Sequence, residues 1–146
     1  MRRLAGNLIL AALAIFALSA CSSSDDEEAL SETQKYYFLE SLQLVEQAGR
    51  SLQSKSLSQQ DIRQALAIMD QGLKLAFQVE SKFLKQLDAR LGKNYQRYFV
   101  KGVEDYRLGI EAGDREQQQN GLRLLGQWAE FWAAVKSTVD MKLHPQ

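Results

Sequence analysis

Few residues in this chain could do chemistry. There is one histidine, His144, followed by the only proline, and one cysteine, Cys21. A helical metal site needs several converging ligands such as paired Glu-x-x-His motifs, and a single histidine does not supply them. A haem held between helices would need a methionine facing a histidine in the core. Met69 and Met141 are available, but His144 falls in what should be a frayed tail. No Cys-x-x-Cys-His motif, Gly-x-Ser-x-Gly elbow or phosphate-cradling glycine loop is present. The expected cofactor and metal are therefore none, and the chain does not read as an enzyme.

The carboxylates offer little more. Asp25 to Glu28 form an acidic run, and Glu104-Asp105 should lie on the polar side of a helix, where charge is normally solvated. Glu80 is different, because helical periodicity places it at the centre of an apolar stripe. An unpaired buried carboxylate costs several kcal/mol or takes up a proton. Glu80 is thus a candidate buried polar site, unless the helix bends there and lets it reach water. Among the aromatics, Trp128, Phe131 and Trp132 share one helical face, and Tyr95, Phe99 and Tyr106 another; both read as core. Tyr36-Tyr37-Phe38 spans about 200° of a helix, so at least one tyrosine should be exposed. Tyr36 and Tyr37 are the candidate partner contacts.

Around Cys21 the pattern is specific. Arg2 and Arg3 precede an apolar run, Leu8 to Leu18, of about eleven residues. That is too short for a bilayer, which needs roughly twenty, and has the length of a signal-peptide core. The run leads into Leu18-Ser19-Ala20-Cys21. This resembles the lipobox of bacterial lipoproteins, matching it at all four positions. The resemblance implies cleavage between Ala20 and Cys21, with acyl chains carried on Cys21. It covers about the first two dozen residues and names no family for the remainder of the chain. Each buried methylene contributes about 0.8 kcal/mol, so two or three chains make an effectively permanent membrane anchor. Ser22 after the cysteine, with Asp25 and Asp26 too distant to act as a retention signal, implies sorting to the outer membrane in enteric-type bacteria.

These features divide the chain into a cleaved signal at 1–20, a lipidated cysteine with a flexible acidic tether at 21–30, and a periplasmic domain at 31–146. The whole chain has zero formal charge, so no global field draws it to nucleic acid. The domain is expected to be all-α, an antiparallel bundle of about four helices. Ser31 with Gln34 reads as a capping box opening the first helix. Phe38, Leu42, Val45, Gly49 and Leu52 carry its stripe. A second helix should open near Ser58 and stop at Gly92. That length, about 33 residues, overhangs its neighbours unless it breaks, at Gly72 or at Glu80-Ser81. A third helix should run from about Asn94 to Ala112 and end at Gly113. A fourth, capped by Asp114 with Gln117, should end near Leu143.

The function expected of such a chain is a non-enzymatic, lipid-anchored envelope protein that binds a partner protein as an accessory or assembly factor. An immunity or exclusion lipoprotein is a second reading. A carrier bundle for haem or lipid, using Glu80 and the aromatics, is a third.

Overall fold

The computed structural model describes residues 29–145. The lipobox, Cys21 and the acidic run 25–28 lie outside the described residues. Those described are helical, with no strand among them: α1 (Glu32–Leu52), α2 (Gln59–Ala76), α3 (Ser81–Leu87), α4 (Leu91–Asn94), a π-helical segment (Tyr95–Val100), α5 (Lys101–Ala112) and α6 (Arg115–Leu143). The backbone stays right-handed helical through Asn94, Tyr95, Val100 and Lys101, so 91–112 is one continuous helix with a π turn inside it.

The helix starts follow the short polar side chains. Ser31 and Asp114 each accept the backbone N–H three residues on, from Gln34 and Gln117. Ser58 and Asp61 make the reciprocal capping box at α2. Gly113 ends α5 in the left-handed region (φ 69°), which glycine enters without a Cβ clash.

The long second helix is interrupted twice. Gly72 is not the break. It sits inside α2 where a Cβ would come within 2.9 Å of Val45 Cγ2, so it lets α1 and α2 approach closely. The first interruption is at 77–80, with Glu80 extended as the N-cap residue of α3. Glu80 is exposed. The buried-carboxylate reading is therefore corrected: the stripe does not continue through Glu80, because the helix has ended at Ala76.

Gln34 holds this corner together. Its Nε2 donates to the Gln78 carbonyl (3.1 Å), and its Oε1 accepts the Glu80 N–H (2.7 Å). One buried amide thus satisfies two backbone groups that the broken helix leaves without a helical partner. Gln34 does not reach back to close the expected capping box.

The second interruption replaces the stop expected at Gly92. Asp88 is extended, and its Oδ1 accepts the Arg90 N–H at 2.8 Å. Gly92 lies inside the next helix, and a Cβ there would stand 3.2 Å from Ser81 Oγ.

The core is continuous across all the helices. Phe38 of α1 packs on Phe83, Tyr95 and Trp132, at ring-centroid distances of 6.2, 5.5 and 5.8 Å. Tyr95 stacks on Phe99, and both touch Trp128. The buried Tyr95 hydroxyl shares a 2.8 Å hydrogen bond with Ser41 Oγ. Burial pushes the Tyr95 hydroxyl far above the usual tyrosine range, although the Ser41 bond opposes this.

Candidate functional site

Of the residues singled out from sequence, Tyr36 is 57% exposed, whereas Tyr37 is partly buried against the core. Both stand in the first turns of α1, and their rings meet at 5.9 Å. Tyr36 is thus the freer of the two for a partner. Two further large apolar side chains are exposed near this end of the fold, Phe77 (59%) and Met141 (65%). Phe77 lies next to Gln78, which Gln34 binds. It falls off the α2 stripe, which was the available sign of its exposure. Met141 and His144 are both exposed while Met69 is buried, so neither faces Met69 as a haem pair would require.

The chain enters the fold beside an open groove of about 660 Å³. Its walls include Leu30, Lys35, Gln86, Met141, Lys142 and Pro145, bringing the start of α1, the end of α3 and the end of α6 together. Lys35 is paired with Glu32 of the next turn back, and the Lys142 ammonium donates to the Gln86 carbonyl at 2.9 Å.

The aromatics expected to surround a carried ligand pack on one another. Trp128 and Trp132 stack at 5.6 Å, and Phe131 lies against Trp128 at 5.8 Å. The Arg90 guanidinium stands 5.7 Å from the Phe131 ring centre, a cation–π contact at the rim of the cluster.

One polar cluster departs from the sequence expectation. Asp105, expected on the solvated side, is only 4% exposed, at the contact between α5 and α6. Its carboxylate accepts from Lys101 Nζ at 2.8 Å and Asn120 Nδ2 at 2.7 Å. Arg123 in turn donates to Asn120 Oδ1 at 2.8 Å. The available signal was the line Gly102, Asp105, Gly109, spaced three and four along one helix face. Those glycines let α6 approach: a Cβ on Gly109 would meet the Gln118 backbone nitrogen at 2.5 Å.

Burial acts to raise the Asp105 pKa. The hydrogen bonds from Lys101 and Asn120, with the Lys101 charge, outweigh it and hold the carboxyl below its ordinary value. A carboxyl depressed in the folded state contributes stability above its unfolded pKa, which is lost as pH falls through the folded value. Asp105→Asn should therefore cost about 1–2 kcal/mol at neutral pH, allowing for the solvent-screened Lys101. Urea unfolding at pH 7 and at successively lower pH checks this: the gap between variant and parent should close below the ordinary carboxylate range.

Among the described residues no helix is long and apolar enough to cross a membrane. No cluster of three histidine, cysteine, aspartate or glutamate residues is placed to hold a metal there. Comparison with protein-family models, with curated proteins and with solved structures finds no match to this chain.

Proposed function

We propose that this chain is a lipid-anchored protein of the bacterial cell envelope, held at the periplasmic face of the outer membrane. On this reading its helical domain works by binding a partner protein and not by catalysis. The observation that carries it is the passage from an apolar signal core into Leu18-Ser19-Ala20-Cys21, with the first helix capped at Ser31 only ten positions later. A domain so close to its anchor is positioned to meet neighbours at a membrane surface.

The domain itself is read as an antiparallel four-helix bundle: α1, α2, the helix 91–112 and α6, with α3 as a short bridge. Support comes from the short connections at 53–58 and 113–114, which join helices that pack extensively on one another. The partner surface is assigned to the end where the chain enters, because Tyr36, Phe77 and Met141 expose apolar surface there. The carrier reading gains no such support, since the aromatics fill the core and Glu80 is exposed.

A photo-crosslinking residue at Tyr36, in the full chain in its own cells, tests the assignment. The expected result is a discrete adduct with an envelope protein that is absent when the probe replaces the exposed Arg63. Equal labelling from both positions, or none from Tyr36, would contradict it. An adduct with an incoming toxin or donor apparatus would favour the immunity reading instead.

A further inference from the structure

We infer that Met141 is a site of reversible oxidation, at which hydrogen peroxide switches the mouth of the entrance groove from apolar to polar. No cysteine stands among the described residues, so thioethers are the sulfur chemistry there. Of the three methionines, Met1 lies outside the described residues. The other two are placed oppositely. Met69 is 1% exposed, inside the core cluster, whereas Met141 is 65% exposed. Oxidation of sulfur follows access. Met69 can react only when the core opens, which draws on the stability of the whole fold.

The position of Met141 on α6 dictates its exposure. Val135, Val139 and Leu143 are buried at steps of four residues. Met141 falls midway between the last two, about 200° around the helix from each. That is the face where a polar side chain normally stands. Instead a large apolar one lines the groove, together with Leu30 and Pro145 and beside Lys35 and Lys142.

The step balances with hydrogen peroxide as the oxidant. A sulfur lone pair attacks one peroxide oxygen, an S–O bond forms, the O–O bond breaks and water leaves. The sulfur gives up two electrons and the peroxide takes them. Methionine sulfoxide reductases return the thioether, so the change is reversible. The product is a polar acceptor in a wall that also holds the Lys142 ammonium, a group with three donors. Met141 is outside the core cluster, so the fold should survive the change. The consequence rests on the partner surface proposed above, to which Met141 contributes apolar area. Oxidation would remove that area and weaken the contact.

Dilute hydrogen peroxide on the full chain, followed by peptide masses at the two sites, reads the modification whether or not a partner or an anchor exists. Met141 should gain oxygen at least about 10 times faster than Met69 in the folded protein. In urea concentrated enough to unfold it, the two rates should converge to within about twofold. Comparable rates in the folded protein, or selectivity that survives unfolding, would overturn the modification. The Tyr36 photo-crosslink reads the consequence. Its adduct should fall about tenfold when the cells receive peroxide. Met141→Leu, which has no thioether, should keep the adduct, and Met141→Gln should lose it without peroxide. An adduct undiminished once Met141 is oxidised would overturn the switch. No adduct from the untreated parent would overturn the partner surface and the switch with it, while the rates still decide the modification.

Discussion

Replacing Phe38 with alanine should destabilise the fold by about 3–5 kcal/mol, the range for removing a fully buried phenylalanine. Phe38 has no exposed surface, and its ring touches Phe83 of α3, Tyr95 of the π-helical segment and Trp132 of α6. It is the contact through which α1 meets three later elements, so collapse of one neighbour cannot fill the space left. Small domains are stable by only about 5–15 kcal/mol in total. A large share of that margin would go, and thermal unfolding should move down by more than about 10 °C. Tyr36→Ala, two positions earlier and mostly in water, should change stability by less than about 0.5 kcal/mol. Circular-dichroism melts of the two variants check the contrast.

Gly121→Ala should cost about 2–3 kcal/mol, although alanine is the better helix former by about 1 kcal/mol. A Cβ at Gly121 would stand 2.4 Å from the Tyr106 backbone nitrogen and 2.7 Å from the Gly102 carbonyl oxygen. Those are backbone atoms of the facing helix, which cannot swing aside as the end of a side chain can. Helices α5 and α6 would have to separate, and the Asp105–Asn120 hydrogen bond lies in the same contact. Gly126, about one and a half turns further along α6, provides the control: a Cβ there meets nothing within 4 Å. Gly126→Ala should be neutral or stabilising by up to about 1 kcal/mol. Urea denaturation that showed both alanines equally benign would mean that α5 and α6 are not packed this closely.

These two sites also separate what is legible along the chain from what is not. Local signals transfer well. Ser31, Ser58 and Asp114 cap helices as their types and spacing suggest, and Gly113 ends one. Of the α6 stripe read from spacing, Gly121, Trp128, Val135 and Val139 are buried, while Leu125 and Trp132 are only partly so. Features decided by distant residues do not transfer. The break at Glu80-Ser81 is legible as one of the two places where an over-long helix should end, but its fixing by Gln34, 44 positions from Gln78 in sequence, is not. The stop at Asp88 comes from a carboxylate bonding its own chain two residues on, while Gly92, the more obvious terminator, serves close packing against Ser81. The charge of Asp105 points to solvent, but its place on the Gly102–Gly109 line decides its burial. At the entrance, Tyr36 is legible as an exposed ring, but the groove is not. It exists only because the ends of α3 and α6 come to the start of α1.

The central claim is that Cys21 is the anchored first residue of the mature protein. The intact mass of the protein purified from the envelope of its own cells tests it most directly. The anchored reading predicts a chain beginning at Cys21, heavier than its amino acids by a diacylglycerol and commonly one further acyl chain. A chain that retains residues 1–20, or one in which Cys21 carries an unmodified thiol, would contradict it.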